Sequence, residues 1–211
     1  MSRRPPLLLH ALLVASLVVA AGCNPFHRAP KLPERISLIA VMPIQPVERT
    51  SATPSEHTAT LPPEAPRVVT AELYGALTSS SAWRVVPDLT VTPAFGQLQP
   101  ESDLALRARA LGKAVGADQV MSGTVSRYVE RVGKEYGARQ PASVAFTLHL
   151  ISVQTGKILW TGSFDQTQKP LSSNLFNWWQ FWRGGPRWFT AQEFTRLGVE
   201  HLLQDLSRRL G

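Results

Sequence analysis

The chain has 211 residues, with 22 Lys or Arg against 15 Asp or Glu and a formal net charge of +7 at pH 7. Its one cysteine excludes a disulfide bond within the chain. The sequence contains no basic helical pattern with interleaved aromatic residues, so the positive charge does not indicate a nucleic-acid partner and none is expected.

The first 22 residues have the three parts of a secretory signal. Arg3 and Arg4 make its start positive, and an apolar run from Leu7 to Val19 follows. This run is shorter than the roughly 20 apolar residues that a membrane-spanning helix needs. Removing the signal leaves 189 residues with 20 basic and 15 acidic side chains, a net charge of +5 and enough length for one domain.

The signal ends in the small residues Ala20, Ala21 and Gly22, directly before Cys23. This ending resembles the lipobox of bacterial lipoproteins, whose cysteine is lipidated and becomes the new N-terminus. The resemblance implies a membrane anchor through lipid on Cys23, where each buried methylene contributes about 0.8 kcal/mol. Asn24, in place of Asp, implies the periplasmic face of the outer membrane. The alternative is an ordinary cleaved signal followed by a chance cysteine.

The region after the signal begins with a tether and a long loop. Residues 23–35 contain three prolines and no periodicity, which predicts a tether. Residues 36–211 are predicted to form one domain that opens with an apolar strand over residues 36–44. Residues 45–66 are rich in Pro, Thr, Ser and Glu, which predicts a mobile loop.

Helical and alternating patterns fill the rest of the chain. Apolar residues at helical spacing predict helices over residues 68–82, 100–115 and 191–210. Apolar runs, the clearest of them strictly alternating, predict strands over residues 83–86, 119–129, 144–150 and 158–164. Gly116 is placed to cap the second helix, and residues 130–141 are predicted to form a turn or a hairpin tip. The predicted order is therefore β-α-β-α-β-β-β-α.

One segment, residues 111–125, carries a family resemblance; it reads Leu-Gly-Lys-Ala-Val-Gly-Ala-Asp-Gln-Val-Met-Ser-Gly-Thr-Val. It is similar to a segment shared by lipoproteins related to the curli secretion factor CsgG, the penicillin-binding-protein activator LpoB and the flagellar factor FlgO. Residues 39–44, 83–87 and 155–160 fit the same pattern. The resemblance implies a single α/β sandwich like the N-terminal domain of TolB, a mixed β-sheet of about five strands packed by three helices.

The same resemblance implies work through protein–protein contacts. The protein would be a non-catalytic accessory or adaptor in a cell-envelope assembly for secretion, flagella or wall synthesis. Its expected partners are an envelope protein and the membrane that holds the lipid. The alternative is a subunit of an oligomeric secretion channel of the CsgG kind, which would make the protein a homo-oligomer.

Residues 171–190 form a Trp-rich segment. Four of the six tryptophans and seven of the 17 aromatic residues fall within residues 175–189. Tryptophan favours membrane interfaces and the centres of protein contacts, so the segment is a candidate for docking onto a membrane or a partner. The alternative is that its rings cover the sheet and the last helix. The candidate docking residues are Trp178, Trp179, Phe181, Trp182, Arg183, Arg187 and Trp188.

Catalytic and metal-binding patterns are absent from the sequence. The five histidines have no metal-ligand spacing, and no G-x-S-x-G, H-E-x-x-H or P-loop motif occurs. Glu130 and Glu135 could pair as carboxylates, but they flank a predicted turn, where simple solvation is expected. We therefore expect no enzyme activity, no metal and no cofactor.

Overall fold

A mixed β-sheet forms the centre of the structure, a computed structural model that describes residues 38–47, 61–168 and 187–210. The elements in chain order are β1 (Leu38–Val41), β2 (Gln45–Pro46), α1 (Ala65–Thr78), β3 (Arg84–Val85), α2 (Asp88–Gly96), α3 (Leu104–Val115), β4 (Gln119–Val129), β5 (Val132–Lys134), β6 (Gly137–Gln140), β7 (Ser143–Ser152), β8 (Ile158–Thr167) and α4 (Ala191–Leu210). The predicted α/β class is confirmed, since helices pack on a sheet with both parallel and antiparallel neighbours.

The sheet has the strand order β3-β1-β4-β7-β8, and β2 also pairs with β4. β1 runs parallel to β3 and β4, whereas β4, β7 and β8 are antiparallel neighbours. β1 and β2 pair one after the other with the same edge of β4: Ile39 pairs with Gln119, and Gln45 pairs with Thr124. β4 therefore connects two ends of the sheet. From the first to the last of its 11 residues β4 spans about 33 Å, at about 3.3 Å for each step, and this length separates the start of β1 from the β5–β6 hairpin.

One face of the sheet carries α1 and α4 over an apolar core. Leu73 and Leu77 lie one helical turn apart on α1 and are fully buried. On α4, Phe194 packs edge-on against Phe164 of β8, with 5.4 Å between ring centroids. Phe164 in turn lies 5.5 Å from the ring of Phe146 on β7. We call these three phenylalanines the aromatic column.

The opposite face is apolar at one end and polar at the other. Near the start of β4, Val91 of α2 and Leu111 of α3 share a second apolar cluster with Ile151 of β7. Further along the strands, side chains on this face are polar, and the hydroxyl groups of Thr147 and Ser163 lie 3.0 Å apart. The chemistry of this face follows the strand alternation, since residues that share a face recur every two positions.

The described residues contain one helix more than the three predicted, and the central sheet has a sixth strand. The additional helix, α2, was not predicted, because Pro93 lies inside it and proline disfavours helix interiors. It forms nonetheless, since Thr90 and Val91 donate backbone hydrogen bonds to Pro87 and the side chain of Val91 is buried. The additional strand, β2, has two residues, which is too short for an alternating pattern to indicate.

The predicted loop over residues 45–66 contains regular structure at both ends. Gln45 and Pro46 form β2, and the last two residues of the range open α1. Pro66 suits that position, because the first N–H groups of a helix have no partner within it. Residues 48–60 lie outside the described residues.

The segment that carries the family resemblance ties α3 to the sheet. Asp103 caps α3 by accepting the N–H of Leu106 at 3.0 Å, and Gly116 ends the helix at φ 70°, a left-handed conformation suited to glycine, as predicted. Two residues later, the Asp118 carboxylate accepts the N–H of Leu38 at 2.9 Å, at the first residue of β1. These residues therefore fix the two ends of α3 and the position of the start of β1.

Candidate functional site

The candidate site is built from described residues on the two sides of residues 169–186. Here the end of β4, the start of β7 and the end of β8 meet, since Val129 pairs with Ser143 and Ser143 pairs with Thr167. Of the residues predicted for lipidation or docking, Arg187 and Trp188 belong to the described part of the chain. The others lie outside it, and their roles stay predictions: Cys23, Trp178, Trp179, Phe181, Trp182 and Arg183.

Gln168 joins the two described ends that flank residues 169–186. Its side chain is almost fully buried. The amide Nε2 donates to the backbone oxygen of Arg187 at 2.8 Å, and Oε1 accepts the backbone N–H of Phe189 at 2.8 Å. Its own backbone N–H donates to the oxygen of Ala142 at 3.0 Å. One buried amide therefore holds Gln168, which precedes the Trp-rich segment, beside Arg187 and Phe189 near the end of that segment.

Arg187, predicted to meet phosphates or a partner's carboxylates, binds two carboxylates of its own chain. Its guanidinium nitrogens lie 2.7 Å from Glu193 and 3.4 Å from Glu135, and its Cζ lies 5.1 Å from the ring centroid of Phe189. The hydrogen bond to Glu193 raises the pKa of Arg187. Burial alone would raise the pKa of Glu193, but hydrogen bonds from Thr190 and Arg187 outweigh it, and the pKa is lowered. A docking role for Arg187 stays a prediction.

Two carboxylates, those of Glu193 and Glu130, bind backbone N–H groups at the start of α4. The N–H of Glu193 donates to Thr190 Oγ1 at 3.1 Å, and the N–H of Thr190 donates back to Glu193 Oε2 at 2.9 Å, which forms a capping box. Both oxygens of Glu130, from the end of β4, lie 3.1 Å from the N–H of Ala191. Negative charge is favourable at a helix N-terminus. We call this site the polar junction; it comprises Gln168, Arg187, Thr190, Glu193, Glu130 and Glu135.

The prediction that Glu130 and Glu135 are simply solvated is therefore wrong. Glu130 binds a helix N-terminus 61 residues further along the chain, and Glu135 pairs with Arg187. The Thr-x-x-Glu signature at residues 190–193 could have indicated the start of α4. No local signal could have indicated Gln168, because its partners follow it by 19 and 21 residues.

The predicted hairpin tip is a small two-stranded sheet that stands beside the junction. β5 and β6 pair from Val132 to Lys134 with Gly137 to Gln140. The N–H of Trp188 donates to the backbone oxygen of Glu135 at 2.7 Å, and Arg131 Nη1 donates to the oxygen of Trp188 at 2.6 Å. At the turn, the side chain of Tyr136 is 78% exposed. The hairpin is thus joined to the exit of the Trp-rich segment.

A separate groove of about 670 Å³ lies between the end of α1 and the second half of α4. Its lining combines the indole of Trp83 with charged and polar side chains that include His201 and Arg208. His201 and Arg208 follow Phe194 of the aromatic column along α4, so they lie further from the start of the helix than the column does. The groove and the polar junction are therefore different surfaces of the same helix.

Two titratable groups lie apart from both surfaces. His149 Nδ1 lies 3.0 Å from Thr161 Oγ1, and burial lowers the pKa of the imidazole. Burial, followed by the charge of Glu130, raises the pKa of Tyr128 to about 12.

Within residues 38–47, 61–168 and 187–210, no three His, Cys, Asp or Glu side chains are grouped to hold a metal ion. None of the helices described there is long and apolar enough to cross a membrane.

A protein-family model matches part of the chain. The model of a family described as the peptidoglycan-synthase activator LpoB matches residues 67–165, from α1 to β8. These are 99 of the 211 residues, a little under half of the chain. The match supports the LpoB part of the predicted resemblance, whereas the relations to CsgG, FlgO and TolB stay predictions. No curated protein matches the chain.

Several solved structures are similar to the chain at low sequence identity. The PelC dodecamer of Paraburkholderia phytofirmans is 16% identical over 84% of this chain and 91% of that chain, with a TM-score of 0.45. Lipoprotein GNA1162 of Neisseria meningitidis is 18% identical over 82% and 99%, with a TM-score of 0.48. The LpoB C-terminal domain of Salmonella enterica is 23% identical over 63% and 84%, with a TM-score of 0.41. Values this low identify no function.

Proposed function

We propose that the protein is a lipid-anchored, non-catalytic accessory of the cell envelope that activates a peptidoglycan synthase. The observation that carries the proposal is the match of residues 67–165 to a family described by that activity. The signal and the lipobox-like ending before Cys23 agree with it, because peptidoglycan is polymerised outside the cytoplasm. The partner would be a penicillin-binding protein with synthase activity.

The anchor limits where this partner can be met. Lipid on Cys23 would hold the protein at the periplasmic face of the outer membrane. The 14 residues from Asn24 to Ser37 span at most about 50 Å when extended, at about 3.6 Å per residue. The domain would therefore meet a synthase that approaches the outer membrane, or one that extends a domain toward it.

The Trp-rich segment would supply part of the contact with this partner. Gln168, just before the segment, is hydrogen-bonded to Arg187 and Phe189 near its end, and Arg187 also pairs with the carboxylates of Glu193 and Glu135. A contact segment with both ends fixed loses less conformational freedom on binding than a free tail does. The polar junction thus supports a role for the segment as a presented loop.

The proposal is tested by glycan polymerisation with a purified peptidoglycan synthase of the same bacterium. The lipid-linked precursor is supplied, and the mature protein is added at increasing concentration. We expect direct binding and a several-fold faster polymerisation that saturates with the added protein. A synthase that neither binds the protein nor responds to it contradicts the proposal. If the protein instead assembles into rings of many copies, the secretion-channel alternative is favoured.

The contribution of the Trp-rich segment is tested in the same assay. Replacing Trp178, Trp179 and Trp182 together by Ser should weaken binding by about tenfold or more, since tryptophans commonly dominate contact energies. The thermal unfolding curve should stay the same. Leu89→Ser is the control, because Leu89 is an exposed apolar residue on a different element. A triple variant that unfolds would mean that these rings belong to the core.

A further inference from the structure

The groove between the end of α1 and the second half of α4 combines an indole with polar side chains. We infer that this groove binds an uncharged oligosaccharide of N-acetylated sugars, as found in the glycan strands of peptidoglycan. The inference goes beyond the proposed function, because it assigns a second ligand to a surface that differs from the polar junction. The choice of N-acetylated sugars rests on that function, whereas the choice of an oligosaccharide rests on the lining.

The size and the mixed lining of the groove suit a small polar ligand. Its volume of about 670 Å³ lies within the roughly 300–1,000 Å³ of small-molecule sites, which combine apolar walls with a few polar groups. Ala76 and Leu203 contribute apolar surface to the lining. Ser79, Gln204 and Ser207 contribute polar groups. A short oligosaccharide matches both, because each sugar ring has C–H groups on its faces and hydroxyl groups around its edge.

Trp83 supplies an aromatic surface that is already fixed in place. Its side chain is partly buried against the apolar core, and the same residue lines the groove. The face of an aromatic ring carries partial negative charge, which attracts the partly positive C–H groups of a sugar ring. Because the core holds the side chain before a ligand arrives, little side-chain freedom is lost on binding. Trp83 therefore has the properties of a stacking platform.

The polar groups of the lining include acceptors for the hydroxyl groups of a sugar. Ser79 Oγ donates to the backbone oxygen of Ala76 at 3.1 Å, and Ser207 Oγ donates to that of Leu203 at 2.8 Å. A hydroxyl group has one donor and two acceptor sites, so each serine oxygen can still accept a hydrogen bond. Gln204 is exposed on α4 and adds an amide that both donates and accepts.

The charges of the lining are mixed, which favours an uncharged ligand over an anion. Among the described lining residues, the carboxylate of Glu200 accompanies the guanidinium of Arg208 and the imidazole of His201. Arg208 also lies 3.6 Å from the carboxylate of Asp205, which balances part of its charge. A site for a phosphate would instead need an excess of positive charge. Since a guanidinium has five N–H donors, Arg208 can still donate to sugar or acetamido oxygens.

The test is a titration of the mature chain with chitotetraose, a soluble oligomer of N-acetylglucosamine, observed by NMR. We expect saturable shift changes at the indole N–H of Trp83 and at the side-chain amide of Gln204. Arg208→Ala should weaken binding by about fivefold, because it removes hydrogen-bond donors. Trp83→Leu keeps an apolar side chain against the core but loses the aromatic face, and should also weaken binding by about fivefold.

Arg209→Ala is the matched control and should bind like wild type. Arg209 pairs with the same carboxylate of Asp205, at 2.9 Å, but it is not among the residues that line the groove. Arg208 is 71% exposed, so its variant keeps the test decisive even if Trp83→Leu unfolds. Cellotetraose, the corresponding glucose oligomer without acetamido groups, should bind several-fold more weakly than chitotetraose.

Three results would overturn the inference: no binding of chitotetraose by wild type, an Arg208→Ala variant that binds as wild type does, or equal binding of cellotetraose. The glycan polymerisation assay separates this inference from the proposed function. A chain that stimulates the synthase but does not bind chitotetraose keeps the proposed function and loses the oligosaccharide site. A chain that binds chitotetraose with the expected variant effects, but neither binds nor stimulates the synthase, keeps the site and loses the proposed function.

Discussion

The aromatic column and the polar junction both attach α4 to the sheet, and they do so with different chemistry. In the column, Phe194 is completely buried and contacts Phe164, which contacts Phe146. In the junction, the side chains of Arg187 and Glu193 remain 29% and 37% exposed while they pair at 2.7 Å. One region excludes water, and the other keeps partial access to it.

This difference separates stability from position. Burying a phenylalanine contributes about 1.5–3 kcal/mol, whereas a partly exposed ion pair contributes about 0–1 kcal/mol. Apolar contacts, however, are non-directional, and hydrogen bonds fix orientation. The column therefore supplies most of the attachment energy of α4. The junction determines where its first turn lies and holds Gln168 beside Arg187 and Phe189.

The largest expected effect comes from the column. Replacing Phe194 by Ala should lower the free energy of unfolding by about 3–5 kcal/mol, because it removes a buried ring and leaves a cavity beside Phe164. Denaturant titration of the mature chain measures this loss. The control is Leu106→Ala, since the Leu106 side chain is 50% exposed, and its cost should stay below about 1 kcal/mol. Equal losses in the two variants would contradict the comparison.

The two regions also differ in how far the sequence predicts them. Phe146 and Phe164 belong to strictly alternating patterns on β7 and β8, and Phe194 lies within the predicted last helix. Periodicity is local information, so the elements of the column could be read from the chain. The rings still meet only because β7 and β8 are neighbours beneath α4, a pairing that the predicted hairpin supplied.

The junction could not be predicted in the same way. Glu130 and Ala191 are 61 residues apart, and Arg131 and Trp188 are 57 residues apart. An isolated acidic residue beside a turn has the same local pattern whether it is solvated or bound to a distant helix. α2 was missed for the opposite reason, because its Pro93 is a local signal against the helix that tertiary packing of Val91 overrides.

An intermediate effect is expected where the junction contains a buried polar group. Gln168→Ala removes the acceptor of the buried Phe189 N–H, and an unsatisfied buried group costs about 1–3 kcal/mol. We expect a loss of that size in the free energy of unfolding. We also expect faster hydrogen exchange at the Phe189 amide, because the variant loosens the flank of the Trp-rich segment.

Gln154→Ala is the matched control for this variant, since Gln154 is exposed in the turn between β7 and β8. It should leave both the free energy of unfolding and the exchange at Phe189 unchanged. If Gln168→Ala destabilises the protein without faster exchange at Phe189, the buried amide stabilises the fold generally. The view that it holds the segment in place would then be incorrect.

The smallest effect is expected from the charges of the junction and depends on pH. Hydrogen bonds from Thr190 and Arg187 hold the pKa of Glu193 below its ordinary value of 4.5, against the opposing effect of burial. Since the folded pKa is depressed, this stabilisation is present above the unfolded pKa and is lost as the pH falls through the folded pKa. The difference in unfolding free energy between wild type and Glu193→Gln should therefore be largest near pH 7 and shrink below about pH 4.5. Asp205, whose pKa the hydrogen bond from Trp160 lowers, titrates in both proteins and cancels in this difference. A difference that stays constant with pH would mean that the ion pair does not hold α4, and that the uncharged hydrogen bonds of the junction position it alone.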